Sequence, residues 1–244
     1  GSELARGFLC EALGAGCAAI AWPWQGTGET WPHGASGCAV WGSGDGQAAY
    51  IDAASRAGTP IVIIDDPSAK PGHDRVQFDH EGLACALAAE LALKGHRSVA
   101  VLAESNARPG AAARLAAFRN ALADAGVNVP DDLVINEPSN ERGDVQLDLL
   151  GILGRRERPT ALACLHETFS PWVLRAVQEL GYTVGKDIEL ALAIDANEQA
   201  AACITVQLDA AQAGREAAKM LLRRLESPQL APQSATVGYV FHGA

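Results

Sequence analysis

The sequence predicts an α/β protein built on mainly parallel sheets with crossover helices. Two observations predict it. Short β-branched or apolar runs alternate with helix-period patterns over most of the chain, and several of those helices stop at a glycine just before the next apolar run. With 244 residues, 48% of them hydrophobic, the chain can bury a substantial core, as one large domain or as two lobes.

The first 46 residues are the least regular. A helix is expected over 3–13, short strands near 19–24 and at 38–41, and a Gly/Trp-rich loop between the strands. After a helix at 47–57, Ile61-Val62-Ile63-Ile64 follows Gly58-Thr59-Pro60 and stops at Asp65-Asp66-Pro67. That is a buried strand running into a polar loop, and such strand ends are where open α/β sheets bind ligands. An extended piece at 75–78 precedes a helix on which Leu83, Leu87 and Leu91 recur every four residues before Gly95. A strand at 98–102 leads to a helix with Leu115, Phe118 and Leu122 on one face, ended by Gly126. The unit then repeats: strand 133–135 with a helix through Leu149, Leu150 and Leu153, and strand 161–165 with a helix through Val173, Val177 and Leu180, closed by Gly181. Strand 188–194 follows. The chain ends with strand 203–206, a long helix over 210–225 that turns Ala213, Ala217 and Leu221 inward, and one final strand over 235–241.

Composition excludes several functions. With 19 Lys+Arg against 29 Asp+Glu, the formal charge is −10 and no basic run stands out, so this segment alone is not expected to hold DNA. Cys10, Cys17, Cys38, Cys85, Cys164 and Cys203 form no CxxC pair and no Cys/His cluster, which reads as buried free thiols of a reducing, cytoplasmic compartment. No stretch is long and apolar enough for a membrane span, and no signal peptide is read. Gly1-Ser2 without a methionine fits the remnant of a cleaved tag, so the natural protein is expected to extend upstream.

Motifs for catalysis are missing too. Gly42-Ser43-Gly44-Asp45-Gly46 lacks the GxGxxG spacing and reads as a turn before a helix. There is no GxxxxGK[ST] loop, no GxSxG elbow and no HExxH pair, so neither an enzyme nor a metal or other cofactor is expected. Trp22, Trp24, Trp31 and Trp41 crowd into a chain only 5% aromatic. Such rings either stack on a sugar or base face or pack in a core or dimer. Trp22 and Trp41, in or at the end of strand patterns, read as packing, whereas Trp24 and Trp31 fit both roles.

Four stretches, read together, carry a family resemblance. They are Phe78-Asp79-His80-Glu81-Gly82 with Leu91-Ala92-Leu93-Lys94-Gly95-His96-Arg97; Ala113 to Arg119 with Ala121-Leu122 and Gly126; Pro159-Thr160-Ala161 with Gly181-Tyr182 and Asp187-Ile188; and Ile204-Thr205-Val206 with Ala213-Gly214-Arg215-Glu216-Ala217. Spanning roughly residues 58 to 244, they resemble the effector-binding core of the lac-repressor family of bacterial transcription regulators, which shares its fold with periplasmic sugar-binding proteins. The resemblance implies a two-lobed, periplasmic-binding-protein-like fold, each lobe a mainly parallel sheet flanked by helices, with ligand held between the lobes and a homodimer formed side by side. By that pattern the N-terminal lobe is 1–80 plus 209–228, and the C-terminal lobe is 81–208 plus 229–244. The family's first core strand is not evident, residues 25–37 replace a helix, and no helix-turn-helix headpiece is read.

The resemblance also implies site residues. The arginine at the Arg114 position reaches into the cleft, where a guanidinium binds hydroxyl pairs, carboxylates or ring carbonyls; the alternative is a surface arginine. Asp65 matches a pocket aspartate or else serves the turn at Asp66-Pro67. The family's Asn-Asp after the third stretch's strand reads His166-Glu167, which makes His166 either a pH-sensitive ligand contact or a structural histidine. The family's Gly-[Phe/Tyr]-Asp-Asp reads Ala193-Ile194-Asp195-Ala196, so Asp195 is the expected second-lobe carboxylate. With Trp24, these residues would take a small polar metabolite, a carbohydrate by preference. The resemblance further implies that closure of the lobes resets the spacing of DNA-binding heads carried by another segment, so operator DNA is a partner only through that segment. A solute-binding protein of a sugar transporter is the alternative from another class, and an enzyme on the same plan is a third.

Overall fold

A computed structural model of the chain describes residues 2–21, 34–41, 45–66, 72–104, 110–137, 142–194 and 202–243. In chain order the elements are α1 (Ser2–Gly14), β1 (Cys38–Trp41), α2 (Asp45–Arg56), β2 (Ile61–Ile64), β3 (Asp74–Phe78), α3 (His80–Leu93), β4 (Val99–Glu104), α4 (Ala111–Asp124) and β5 (Val134–Glu137). They continue with α5 (Arg142–Leu153), β6 (Ala161–Cys164), α6 (Ser170–Glu179), β7 (Glu189–Ala193), β8 (Ile204–Leu208), α7 (Ala210–Glu226), β9 (Ser234–Val237) and β10 (Tyr239–His242). The chain divides into two compact units, Gly1–Phe78 with Asp209–Val237 and Asp79–Leu208 with Gly238–Ala244.

The first unit is a parallel sheet in the order β1-β2-β3-β9. On one side α2 sets Ile51 and Ala54 against Ile61 and Ile63 of β2. Against the same sheet lies α7, which also packs along α1. Asp209 starts α7 by accepting a hydrogen bond from the Gln212 N–H at 2.9 Å, which satisfies one of the donors every helix start leaves open.

The second unit is a sheet in the order β10-β8-β7-β6-β4-β5, parallel throughout except for β10 on β8. Both faces of its central strands are covered, so β4 runs apolar from Val99 to Ala103 and β6 from Ala161 to Cys164. Alternation sends Val99, Val101 and Ala103 of β4 to one core with Leu83, Leu87, Leu91, Phe118 and Leu122, while Ala100 and Leu102 join Leu149, Leu153, Val173 and Val177 on the other. Each fully buried leucine on α3 contributes roughly 1.5–3 kcal/mol. Asp79 starts α3 as Asp209 starts α7, its Oδ1 accepting from the Gly82 N–H at 2.8 Å.

The structure corrects the sequence reading in several places. The single strand expected over 235–241 is two strands that part at Gly238: β9 pairs with β3 and β10 with β8. Residues 229–237, assigned from the sequence to the C-terminal lobe, therefore fall in the first unit. Asp45 and Gly46 lie within α2 and not in a turn ahead of it. Of the strand expected near 19–24, residues 19–21 have no regular structure and the rest lies outside the described residues. Burial of the thiols holds for Cys164 and Cys203 and fails for Cys10, which is exposed. Trp41, read as a packing residue, is 42% exposed at the end of β1.

Candidate functional site

Because β4, β6 and β7 run parallel and adjacent, their C-terminal ends share one edge of the second unit's sheet. Two of the residues picked from the sequence, Arg114 and His166, come together there. Gly110 opens α4 from a left-handed backbone conformation, φ 88°, which sets Arg114 in the first turn, where its N–H donates to the Gly110 carbonyl at 2.9 Å. The Arg114 side chain is buried. Its Nε–H donates to Nδ1 of His80 at 3.0 Å, and Nη1 donates to the Leu165 carbonyl, just past β6, at 2.7 Å. Nη2 has no hydrogen-bond partner among the described residues.

His166 follows Leu165, and its ring is held at Nδ1. Nδ1 accepts from the Thr168 N–H at 3.2 Å and so caps the short 3-10 turn Glu167–Phe169 ahead of α6. The ring hydrogen therefore sits on Nε2, which lies 3.3 Å from Oε2 of Glu104. Glu104 ends β4 with its side chain only 3% exposed, against 12% for His166. The Glu167 carboxylate stands 3.7 Å from Nδ1, and the Phe169 ring tilts against the imidazole with centroids 6.0 Å apart. Behind the loop, the Cys164 thiol donates to the His166 carbonyl at 3.2 Å, and burial pushes its pKa up to about 11. Ser170 ties the start of α6 to the end of β7 by donating to the Ala193 carbonyl.

Asp65 lies in the first unit, directly after β2. It is half-buried, and its backbone takes a positive φ of 57° while its N–H donates to Val76 at 2.8 Å. Asp195 and Trp24 lie outside the described residues. The sequence reading missed Glu104 and His80 as parts of this arrangement. A signal existed for the first, since a carboxylate closes the otherwise apolar run Val99 to Ala103. His80 enters the sequence reading only within the first stretch of the family resemblance. Among the described residues no group of His, Cys, Asp and Glu is placed to hold a metal ion, and no helix is long and apolar enough to cross a membrane.

At this edge a buried guanidinium is held on two sides, beside a carboxylate and an imidazole.

Comparison with known proteins gives a concordant pattern. The family described as periplasmic binding protein-like domain matches residues 88–241. The HTH-type transcriptional repressor PurR of Salmonella newport (strain SL254) is 30% identical over 135 residues, 54% of this chain and 38% of that protein. The chain thus spans about two-fifths of the length of the curated relatives it matches. A regulatory protein of the LacI family from Chloroflexus aggregans superposes with a TM-score of 0.84 at 17% identity, over 98% of this chain and 89% of that one. A LacI family transcriptional regulator from Enterococcus faecium, solved with bound ribose, gives 0.82 at 19% identity, over 99% and 91%.

Proposed function

Because the chain belongs to the periplasmic binding protein-like domain family, in the form that makes the effector-binding core of lac-repressor-family regulators, we propose that it is the ligand-sensing and dimer-forming part of a bacterial transcription regulator. Its ligand is a small polar metabolite, a carbohydrate first of all, and it binds that ligand without transforming it. It works in the cytoplasm and reaches operator DNA through a segment other than these residues.

The observation that carries this reading is the Arg114 guanidinium, buried at the C-terminal edge of a parallel sheet with Nη2 uncommitted among the described residues. A planar, permanently charged group suits vicinal hydroxyls and ring oxygens. His166 has Nδ1 committed to the Thr168 N–H, and its part in binding is the ring edge and face. Asp65, Asp195 and Trp24 complete the proposed set. The carboxylates accept from hydroxyls, and the indole offers an apolar surface to a sugar face. The ribose in the Enterococcus faecium regulator makes pentoses the first compounds to try.

Isothermal titration of the chain against D-ribose, a set of mono- and disaccharides and the common nucleosides tests this. At least one is expected to bind, and Arg114→Ala and Asp195→Ala are each expected to weaken it about 10- to 100-fold. Full affinity in both variants would show that these residues do not form the site. Sedimentation of the chain checks the dimer.

A further inference from the structure

The two bonds that hold Arg114 differ in kind. The Leu165 carbonyl accepts at any pH, whereas Nδ1 of His80 accepts only while it keeps its lone pair. We propose that His80 is a positioning residue for the ligand site: as a neutral imidazole it takes the Arg114 Nε–H and fixes the plane of the guanidinium, and on protonation it lets that plane go. This rests on the reading of Arg114 as a ligand contact.

Geometry supports the pairing. A planar group bonded at Nε and at Nη1 can neither rotate about its last bond nor tilt, so the direction of its Nη2 donors is set. The ring that does this also lies on the start of the helix that carries Arg114. A Cβ built on Gly110 would stand 3.1 Å from Cδ2 of His80, so only glycine leaves the ring in place there. Adding a proton to Nδ1 would set N–H against N–H and cation against cation across 3.0 Å. His80 is also the first residue of α3. Asp79 and Glu81 flank it on its own segment, and Asp79 is committed to the Gly82 N–H. On the same unit, Oε2 of Glu104 lies 3.3 Å from Nε2 of His166.

The test begins without ligand, on protein carrying nitrogen-15 in Arg and His. Near neutral pH, His80 is expected as the Nε2–H tautomer, with a coupling across the hydrogen bond from Arg114 Nε–H and slow exchange of that hydrogen with water. Both signatures are expected to vanish on acidification. In His80→Asn a carboxamide oxygen replaces Nδ1 and cannot titrate, so slow exchange should persist across the pH range. A second arm measures D-ribose affinity between about pH 5 and pH 8. The wild type should lose about tenfold or more at the acid end, His80→Asn should stay flat, and His80→Leu should be weak throughout. An Arg114 Nε–H indifferent to pH, a proton on Nδ1 at neutral pH, or an Asn variant that titrates as the wild type does would each overturn the proposal. If no compound binds, the sensing function falls, and the nitrogen-15 arm still decides the role of His80.

Discussion

Arg224 and Asp74, 150 residues apart in sequence, meet as a two-pronged ion pair in the first unit, Nε on Oδ2 and Nη2 on Oδ1, both at 2.9 Å. Oδ1 of Asp74 also accepts from the Gln233 N–H at 2.7 Å, while Arg224 donates to the carbonyls of Pro228, Leu230 and Ala231. One carboxylate on β3 therefore fastens the end of α7 and the segment that leads into β9. The Asp74 side chain is 3% exposed and that of Arg224 15%, so removing either strands a charge away from water.

Asp74→Ala is accordingly expected to cost about 3–5 kcal/mol. Arg224→Lys should cost less, because it keeps the charge and loses the planar fork. Urea unfolding would read both as lower midpoints at unchanged slope. An Asp74→Ala midpoint equal to the wild type's would mean that the pair contributes no net stability.

In the first unit α1 and α7 approach closely at two glycines. A Cβ on Gly214 would stand 2.1 Å from the Leu4 carbonyl oxygen and 2.7 Å from the Phe8 nitrogen, and one on Gly7 would stand 2.0 Å from the Ala211 oxygen. These are backbone atoms and cannot swing aside. Gly7→Ala and Gly214→Ala should each destabilise by about 1–3 kcal/mol despite alanine's better helix propensity. Together they should cost less than the sum, since one clash already parts the helices. Gly151→Ala in α5 meets nothing within 4 Å and is the control, expected to stabilise by up to about 1 kcal/mol. Thermal melts of the four variants separate these outcomes.

What could be read from the sequence follows from what each signal reports. Leu83, Leu87 and Leu91 repeat at helical spacing because one face of α3 is buried, so periodicity alone places that helix. The break at Gly238 was invisible: Ala235 to Phe241 stays strand-like on both sides, and nothing in a run of residues says that the sheet partner changes from β3 to β8. Arg114 was found through a family resemblance, since an arginine in a helix's first turn carries no mark of burial. Glu104 and His80 matter through partners 62 and 34 residues away, Glu104 with His166 and His80 with Arg114, and such pairings are set by topology and not by local pattern.

Asp65 holds a backbone conformation that costs an L-residue about 1–2 kcal/mol, less for aspartate, whose short side chain tolerates it. If it is kept for its carboxylate, stability and binding should part company. Asp65→Gly should hold or raise the melting temperature and weaken D-ribose binding, whereas Asp65→Val should lower the melting temperature. Unchanged affinity in Asp65→Gly would remove Asp65 from the proposed ligand set.

His96 supplies a pH dependence of stability with a definite sign. Its Nδ1 lies 3.0 Å from Oγ1 of Thr160, whose hydroxyl donates to the Ser98 carbonyl at 3.2 Å, so His96 donates there from Nδ1–H. Nε2 stands 4.0 Å from the Glu189 carboxylate, which already holds Lys94 at 3.3 Å. Burial lowers the His96 pKa from 6.5; Glu189 opposes that shift and Lys94 adds to it. A histidine whose folded-state value is depressed binds fewer protons folded than unfolded, so stability is fully present above 6.5 and falls as the pH drops from 6.5 through the folded-state value. His96→Asn can still donate to Thr160 but cannot titrate. Its unfolding free energy, followed by urea titration at a series of pH values, should fall less steeply over that window than the wild type's, and equal slopes would show that His96 does not carry the effect.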